Sequence, residues 1–578
     1  MKELYTMIIV CFISLPGFSQ SLEWAYSFQN GVVLEDVTDI SSNGNNQFVL
    51  LGFTDPNTVS IDPINKKTEF KPAGKYVAVY NENAEIQWMK TTAANPQGVK
   101  MNSKSDVFVT GSFGGTVDFD PSDKVFNLIS TNVGSSFLQK FDTSGNLVWA
   151  VGATTDGIGF EIEPMPDGRI IVAGRADVSS KVTLSNNSVV DLQKGVFLLE
   201  VSADGKLTNA FSIAVPDAAG YGYVFDLVSD ATNNLFVCGQ VDGVADFDLG
   251  TGTANNVKTK AYDAFVAKYN NQFKLQWYKV FGDTQGPPYG WDAAHAMDID
   301  ASGNIFVGGE FTWFTDFDPV ANPGKFKILS DNDSQTPSGF IMQLNTDGTL
   351  SWVKKIGAPN NGLSISGESR VRDIQLQGNT LFTLVETSRY CDIDPSDAEV
   401  KYTSTGASSL IFATYTKEGI YQKSFHLDTP LLYTISKGFE MLGTESFVTS
   451  GTFQKDSDFD PTSGTKLLKT DPKGFAYSFD KDIYIAKYKM GTSTSFRPSD
   501  FASELKVYPN PFTNEITISR DSGSELKSLK MFNLEGKLVL SETGSKSRVS
   551  TQSLPSGIYI LDATFDDGTI THGRMIKK

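Results

Sequence analysis

A strand followed by an acidic hook recurs along the chain, and this repeat constrains the fold more than any other feature. Its clearest copy is GNIFVGGEFTWFTDFDP at residues 303–319, where a tight turn leads into an alternating apolar strand and then into Asp-Phe-Asp-Pro. Further copies begin at Gln47, Asp106, Asn234, Leu381 and Ser446. A strand-rich unit that recurs in this way indicates a repeat architecture.

Each repeat contains four strand-like segments, which in the fifth copy read AMDIDASG, NIFVGGEF, GFIMQLNTDG and TLSWVKKIG. The second strands begin near Gln47, Asp106, Arg169, Asn234, Asn304, Thr380 and Ser446, which gives seven units. Repeated groups of four antiparallel strands predict an all-β chain that folds as a seven-bladed β-propeller over residues 20–490. The Trp residues of the fourth strands are expected to pack between neighbouring blades.

The seventh unit has no fourth strand with a Trp. The N-terminal segment SLEWAYSF at residues 21–28 has the pattern of the fourth strands NLVWAVG and LSWVKKIG. A propeller left open at one blade would expose an unpaired strand edge. We therefore expect the N-terminal strand to complete the last blade and close the ring.

The first 19 residues have the features of a secretory signal peptide. Lys2 precedes an apolar run at residues 7–15, and small residues follow before Gln20. We expect cleavage between Ser19 and Gln20, and therefore an exported protein. No later apolar run is long enough to span a bilayer, so no transmembrane segment is predicted.

The chain is acidic, with a formal net charge of −18. This charge belongs to the repeats, because the segment from Ser503 onward is close to neutral. An acidic surface repels nucleic acid and anionic membrane surfaces. The composition therefore excludes both as partners.

The character of the chain changes near its end. Residues 491–502 are small and polar, as in a linker. Residues 503–578 alternate apolar and polar side chains over several short strands, which predicts a small β-sandwich.

Several short motifs in this last segment occur together. They are YPNP, GK, SGIY and a terminal KK, which contain Tyr508, Pro509, Asn510, Pro511, Gly536, Lys537, Gly557, Tyr559, Lys577 and Lys578. With these motifs the segment resembles the C-terminal sorting domain of the type IX secretion system of Bacteroidetes. The resemblance implies passage across the outer membrane, the type IX machinery as partner, and a body that is released or attached at the cell surface.

The repeats also resemble a known group. GNIFVGGEFTWFTDFDP and DAFVAKYNNQFKLQW are similar to the bacterial SBBP-type β-propeller repeats, which read GNVYVTG, TDFP and FVAKLD in succession. The third unit departs from this pattern, because RIIVAGRADVSSKVTL contains no DFDP. The resemblance implies a propeller fold and no particular activity.

The hooks place two carboxylates two residues apart. The pairs are Asp118/Asp120, Asp246/Asp248, Asp316/Asp318, Asp392/Asp394 and Asp458/Asp460. In an extended strand both side chains of a pair point to the same side, where loop carbonyls and water could help them bind calcium. The alternative is that Asp before Pro stabilises the turn by accepting backbone hydrogen bonds, which the repetition favours.

Aromatic residues concentrate in loops that a propeller opens on one face. These residues and a nearby histidine are Tyr221, Tyr223, Tyr289, Trp291, His295 and Trp313. Loops between blades and loops between second and third strands share that face. Aromatic rings beside carboxylates suit sugar rings, so this set is a candidate ligand site. The alternative is that the rings cover the ends of the blades.

Catalytic motifs are scarce. The chain has three His and contains no GxSxG, HExxH or phosphate-binding loop, so no catalytic residue is predicted. Binding of a glycan or a protein by the loop-rich face is the first hypothesis. The second is an extracellular enzyme acting on polysaccharide through acidic residues on the same face. The third is a structural component of adhesion or of a surface layer.

Overall fold

We analysed a computed structural model of the chain. It describes residues 20–28, 36–54, 60–67, 74–92, 94–216, 220–249, 256–259, 261–283, 290–318, 325–330, 336–357, 367–396, 398–404, 408–427, 435–453, 456–462, 464–469, 482–490, 505–520, 526–533, 538–544, 548–565 and 570–578. The predicted signal peptide, residues 1–19, and the predicted linker, residues 491–502, lie outside these ranges. The chain divides into two compact units, residues 1–492 and 493–578, and each is described by itself.

Every regular element in the described ranges is a β-strand, and the sheet pairings are antiparallel. The all-β part of the prediction is therefore confirmed. A search of the same ranges for a helix with the length and apolar character to cross a bilayer finds none.

The first unit begins with β1 (Ser21–Phe28), and three sheets follow in chain order. Sheet 1 contains β2 (Asp36–Ser42), β3 (Gln47–Thr54), β4 (Gly74–Asn81) and β5 (Ile86–Thr91). Sheet 2 contains β6 (Asn95–Met101), β7 (Val107–Asp118), β8 (Asn127–Phe141) and β9 (Leu147–Ala153). Sheet 3 contains β10 (Gly157–Pro164), β11 (Ile170–Ala176), β14 (Gly195–Val201) and β15 (Leu207–Ala214), with a hairpin of β12 (Ser180–Thr183) and β13 (Val189–Leu192) between its second and third strands in the sequence.

The next two sheets follow the same plan. Sheet 4 contains β16 (Tyr221–Ser229), β17 (Leu235–Asp242), β20 (Asp263–Tyr269) and β21 (Leu275–Asp283). Its hook hairpin of β18 (Val244–Asp246) and β19 (Asn256–Lys258) extends sheet 3 beyond β15. Sheet 5 contains β22 (Ala293–Ile299), β23 (Ile305–Phe311), β26 (Ser338–Leu344) and β27 (Leu350–Ile356), and its hook hairpin of β24 (Phe314–Asp316) and β25 (Lys327–Leu329) extends sheet 4 beyond β21.

The last two sheets of this unit complete the series. Sheet 6 contains β28 (Ser369–Gln377), β29 (Thr380–Thr387), β32 (Ser409–Thr416) and β33 (Tyr421–Leu427), with a hairpin of β30 (Tyr390–Asp392) and β31 (Lys401–Thr403). Sheet 7 contains β34 (Ile435–Met441), β35 (Ser446–Phe453) and β38 (Asp482–Lys489), with a hairpin of β36 (Ser457–Asp458) and β37 (Leu467–Leu468). Its fourth strand is β1.

The core of the first unit lies between neighbouring sheets. The second strand of sheet 5, IFVGGEF, is buried along its whole length because both faces of the sheet are covered. Phe236 and Val266 of sheet 4 pack in one cluster with Ile305 and Val307 of sheet 5. Apolar burial between packed sheets is thus the main stabilising contribution.

The first strands of the seven sheets contact one another in chain order. β2 contacts β6, and the contacts continue through β10, β16, β22, β28 and β34. β34 in turn contacts β2. Each of these first strands therefore lies next to the first strands of two other sheets.

The Trp residues of the fourth strands join neighbouring sheets, as predicted. Each indole N–H donates to a backbone carbonyl in the hairpin of the next sheet, at 3.0–3.2 Å: Trp24 to Glu82, Trp88 to Thr143, Trp149 to Ala203, Trp277 to Thr346 and Trp352 to Lys417. The ring of Trp88 covers Gly145 so closely that a Cβ there would lie 2.7 Å from it. Sheet 3 has no such Trp, and Phe211 instead meets Phe273 of the next hairpin with ring centroids 4.7 Å apart.

The N-terminal strand is held from two sides. β1 pairs with β38, where Ala25 lies opposite Ala486. The largely buried Lys487 of β38 forms an ion pair with Glu23 of β1 at 2.9 Å and lies 3.7 Å from Glu82 of sheet 1. β1 therefore serves as the outer strand of sheet 7 and contacts sheet 1.

The second unit has two packed sheets. The smaller one contains β39 (Leu505–Tyr508), β40 (Glu515–Arg520) and β43 (Arg548–Ser550). The larger one contains β41 (Leu526–Asn533), β42 (Leu538–Thr543), β44 (Gly557–Phe565) and β45 (Ile570–Lys577). Ile516 and Ile518 of one sheet share a buried cluster with Leu529 and Leu561 of the other, which gives a small sandwich.

Candidate functional site

A cavity of about 720 Å³, here called the mouth cavity, opens where first strands begin and second strands end. Its lining is Phe225, Gln240, Trp291, His295, Glu310, Thr312, Pro337, Glu368, Arg370 and Arg372. These residues come from sheets 4, 5 and 6 and from the segments that lead into them. Because hook hairpins follow the second strands, the cavity lies on the face that carries the insertions.

β-bulges in the first strands build the floor of the mouth cavity. The register of β16 shifts around Phe225, that of β22 around His295 and that of β28 around Arg372. A bulge adds one residue to a strand and can re-aim its side chain. The three bulged side chains line both the mouth cavity and a second cavity that continues from it.

A cluster of charged side chains stands at this floor. His295 Nε2 lies 2.9 Å from Glu310 Oε1, and Arg370 Nε donates to Glu310 Oε2 at 2.6 Å. Arg370 Nη2 also lies 2.7 Å from Glu368, and Arg372 Nε donates to Glu386 at 2.8 Å. Charged groups held in such a network keep a fixed geometry for a ligand.

Protonation in this cluster follows from burial and charge. Burial and the charges of Arg372 and Arg370 lower the pKa of His295, although its contact with Glu310 opposes them. Burial by itself would raise the pKa of Glu310, but the hydrogen bond with His295 and the nearby positive charges lower it to about 2. At neutral pH the cluster therefore contains an ionised Glu310 and a neutral His295.

An aromatic strip leads into the mouth cavity. Trp291 is 59% exposed, and its ring centroid lies 5.2 Å from that of Tyr262. Tyr223 continues the strip at 6.5 Å from Tyr262, and its hydroxyl accepts a hydrogen bond from Arg175. The backbone N–H of Trp291 donates to Thr312 at 2.9 Å. An exposed ring on an anchored backbone is a ready surface for stacking.

The structure brings part of the predicted ligand set together. Trp291 and His295 line the mouth cavity, Tyr223 lies in the strip, and Tyr221 is 40% exposed at the start of β16. Trp313 occupies the turn between β23 and β24 with a φ of 54° and does not line the cavity. Tyr289 lies outside the described residues.

Several residues at this site could not be predicted from the sequence. Phe225, Glu310, Arg370 and Arg372 were not in the predicted set, and they belong to the cavity because of bulges and strand ends. The only available signal was the segment GESRVRD, which leads into the start of β28 and in which charged side chains alternate with small or apolar ones.

The second cavity, about 340 Å³ and here called the channel cavity, lies among the first strands of the sheets. Six of its lining residues are acidic: Asp39, Glu161, Asp226, Asp298, Asp373 and Glu440. Lys100, Arg372 and Lys437 are the basic residues in the same lining. Part of the acidic residues of the repeats is thus concentrated inside the first unit.

Four acidic residues of the channel cavity accept hydrogen bonds from the backbone of the next sheet. Asp39 accepts from the backbone N–H of Val99 at 2.7 Å, Asp226 from Met297 at 2.6 Å, Asp298 from Leu376 at 2.6 Å and Asp373 from Phe439 at 2.8 Å. Burial raises the pKa of Asp39 and of Asp226 to about 7 and that of Asp298 to about 6. Burial alone would lower the pKa of Lys100, but the surrounding carboxylates, led by Glu440, raise it.

The acidic hooks make a repeated set of turn hydrogen bonds. Asp118 Oδ1 accepts from the N–H groups of Asp120 and Phe126, and Asp120 Oδ1 accepts from Ser122. Asp458 and Asp460 repeat this arrangement. Asp316 accepts from the N–H of Asp318, whose carboxylate lies 3.1 Å from Lys279. Within the described ranges no group of three or more His, Cys, Asp or Glu side chains is arranged to hold a metal ion.

Tyrosines fix the same hooks to the third strands. Each hydroxyl donates to the carbonyl of the apolar residue just before the last Asp of the hook: Tyr80 to Ile61, Tyr269 to Phe247, Tyr415 to Ile393 and Tyr488 to Phe459, at 2.8–3.0 Å. The hook is therefore held both by its own carboxylates and by the sheet.

The motifs of the second unit meet at its C-terminal strand. Asn510 Oδ1 accepts from the N–H of Ile576, and Phe512 exchanges backbone hydrogen bonds with Ile576 and Lys578. The side chain of Lys577 is buried and donates to the carbonyl of Thr551.

The other residues of the predicted sorting signal differ in their exposure to solvent. Tyr559 is buried and its hydroxyl donates to Pro555, whereas Tyr508, Pro509 and Pro511 are exposed. Gly557 begins β44, and Gly536 and Lys537 lie outside the described residues.

Comparison with known proteins gives one family match. Residues 506–578 match the Secretion system C-terminal sorting domain. An uncharacterised WD repeat-containing protein, L264, of Acanthamoeba polyphaga mimivirus is 22% identical over 315 residues, which cover 45% of this chain and 22% of the relative. The match thus spans about a fifth of that relative's length.

The solved structures that are similar to the chain include a streptogramin B lyase and PorZ. A streptogramin B lyase is 9% identical with a TM-score of 0.34, covering 81% of this chain and 97% of the lyase. PorZ, a surface component of the type IX secretion system of Porphyromonas gingivalis, is 13% identical with a TM-score of 0.22, covering 94% of this chain and 81% of PorZ. TM-scores this low do not establish a shared fold or a shared function.

The sorting-domain match agrees with the motifs that converge on the last strand of the second unit. It accounts for residues 506–578 and leaves the first unit unassigned. The chain therefore carries a C-terminal sorting domain of the type IX secretion system, through which it is exported to the cell surface or the extracellular space.

Proposed function

We propose that the first unit is a seven-bladed β-propeller, closed by β1, that binds a glycan through the mouth cavity after export. The sorting domain is removed in this proposal, and the propeller is displayed on the cell or released. The observation that carries the proposal is the position of the exposed Trp291 beside the cluster of His295, Glu310 and Arg370.

The strand arrangement supports a closed ring. The first strands contact one another in order and β34 returns to β2. Trp24 of β1 donates to the hairpin of sheet 1 in the way that Trp88 of sheet 1 donates to sheet 2. A closed ring also removes the open edges that attract other strands.

The chemistry of the mouth cavity supports a glycan ligand. A sugar ring has an apolar face and a rim of hydroxyl groups. Trp291 and Tyr262 offer aromatic faces, while Arg370, Glu310 and Gln240 offer donors and acceptors. A volume of about 720 Å³ is in the range of small-ligand sites and is concave, unlike a flat protein interface.

The same geometry favours binding over glycoside hydrolysis. Hydrolysis needs a carboxylic acid that keeps its proton near neutral pH, together with a second carboxylate. Glu310, with a pKa lowered to about 2, holds no proton to give, and Glu368 is paired with Arg370 at 2.7 Å.

A glycan array with the exported protein tests this proposal. Wild-type protein is compared with Trp291→Ala and with Phe314→Ala, a control that removes an exposed aromatic ring outside the mouth cavity. We expect glycan binding by the wild type and the control, and about tenfold weaker binding by Trp291→Ala, from loss of ring stacking. Absence of glycan binding, or equal binding by Trp291→Ala, would contradict the proposal.

A further inference from the structure

The charges of the mouth cavity are matched within the protein. Arg370 contacts Glu310 and Glu368, and Arg372 contacts Glu386, so each guanidinium has a carboxylate partner. A ligand carboxylate would have to compete with these carboxylates for the arginines. A ligand ammonium would meet two guanidinium groups at the floor.

The channel cavity does not change this electrostatic balance. Phe225, His295 and Arg372 line both cavities, so the floor of one is the roof of the other. Below this floor the lining contains six acidic and three basic residues. Burial raises the pKa of Asp39, Asp226 and Asp298, so some of these acids hold protons at neutral pH, and the three basic residues offset the acids that are ionised. The channel cavity therefore favours neither an anion nor a cation bound above it.

Hydrogen-bond donors remain available to an uncharged ligand. Among the described residues, the contacts of Arg370 use Nε and Nη2, and those of Arg372 use Nε and Nη1. Nη1 of Arg370 and Nη2 of Arg372 are donors that could reach vicinal hydroxyl groups. The side chains are 22% and 34% exposed, respectively.

From these observations we infer that the mouth cavity selects a neutral sugar residue and discriminates against uronic acids and amino sugars. The ring of the sugar stacks on Trp291, and its hydroxyl groups face Arg370, Glu310 and Gln240. Glu368 is a specificity-determining residue, because its carboxylate stands at the cavity next to Arg370 and repels an acidic sugar. This inference rests on the proposed glycan-binding function.

Matched saccharides test the selectivity. Oligosaccharides that end in glucose, galactose or mannose are each compared with the corresponding uronic acid and 2-amino sugar, by calorimetric titration of the exported protein. We expect the neutral member of the bound series to bind at least fivefold more tightly than either charged member. Equal or tighter binding of the uronic acid or the amino sugar would overturn the inference.

A single charge substitution tests whether Glu368 causes the discrimination against acidic sugars. Glu368→Gln removes one negative charge, which at about 4 Å in water corresponds to about a fivefold change in binding of an acidic sugar. We expect the affinity for the uronate, relative to that for the neutral sugar in the same variant, to rise by about that factor; an unchanged ratio would show that Glu368 does not discriminate. Lys181→Gln, which changes an exposed charge on β12, is the control and leaves both affinities unchanged.

The outcomes separate the two proposals. If no saccharide binds in a manner that depends on Trp291, the proposed function fails and the selectivity fails with it. If a uronic acid binds best and Trp291→Ala abolishes that binding, glycan binding stands and only the selectivity is wrong. A melting temperature equal to that of the wild type shows that each variant is folded.

Discussion

Asp226 of sheet 4 accepts a hydrogen bond from the backbone N–H of Met297 in sheet 5, with Oδ2 and N 2.6 Å apart. Its other oxygen accepts from the N–H of Leu227 in its own strand. One carboxylate thus ties two neighbouring first strands together. Asp39, Asp298 and Asp373 make the corresponding bond in other sheets.

Replacing Asp226 with Ala should destabilise the first unit. The change leaves two buried N–H groups without their acceptor, which costs about 1–3 kcal/mol of unfolding free energy. Asp191→Asn, at an exposed ion pair on β13, is the control and should change stability by less than about 0.5 kcal/mol. Urea unfolding followed by tryptophan fluorescence measures both. A variant as stable as the wild type would show that the bond contributes nothing.

Stability should fall as the pH rises from about 4 to about 7. Burial raises the pKa of Asp39 and Asp226 to about 7, whereas an Asp in the unfolded chain titrates near 4. A group whose pKa is higher in the folded protein contributes its full stabilisation at pH values below its pKa in the unfolded chain. This contribution is lost progressively as the pH rises to its pKa in the folded protein. Glu310, with a lowered pKa, acts in the opposite direction below about pH 4.

Melting temperatures between pH 4.5 and pH 8 measure this dependence. We expect Lys100→Met to steepen the fall, because its ammonium offsets the ionised carboxylates of the channel cavity. Asp39→Asn should flatten it, because that position no longer titrates. A melting temperature that rises steadily to pH 8 in the wild type would contradict the expectation.

Trp24→Ala should destabilise the first unit about as much as Trp88→Ala. Both indoles donate to the hairpin of the next sheet, although one belongs to the N-terminal strand and the other to β5. Removal of a packed Trp side chain costs about 3–5 kcal/mol when it is fully buried, and somewhat less here because Trp24 is partly exposed. Chemical denaturation compares the two. Little effect of Trp24→Ala beside a large effect of Trp88→Ala would argue against closure by β1.

The acidic hooks should act as turns that need no calcium. Asp458 Oδ1 accepts from the N–H groups of Asp460 and Lys466, so Asp458→Ala should lower stability by about 1–2 kcal/mol. Asp458→Asn retains an acceptor oxygen and should cost less. We expect a chelator to leave the melting temperature of the wild type unchanged. A decrease on chelation that added calcium reverses would instead support the calcium hypothesis.

The local pattern of the sequence determined the strands and the turns. Apolar runs bounded by turn residues specified strands such as β23. The recurrence of DFDP placed a turn after most second strands, because Asp accepts backbone hydrogen bonds over a few residues. The sorting domain was also readable, since its motifs are contiguous in the chain. Trp24 was recognisable as a fourth-strand residue because its pattern matches that of the other repeats.

The tertiary structure alone decided which residues form the candidate site. Phe225, His295 and Arg372 are separated by about seventy residues each, and bulges in three different strands bring them to one floor. A bulge leaves little trace in the alternation of a strand, so the sequence could not place Arg372 beside His295. Burial among neighbouring sheets likewise set the protonation of Asp226, because the charge of a carboxylate depends on surroundings that lie far away in the chain.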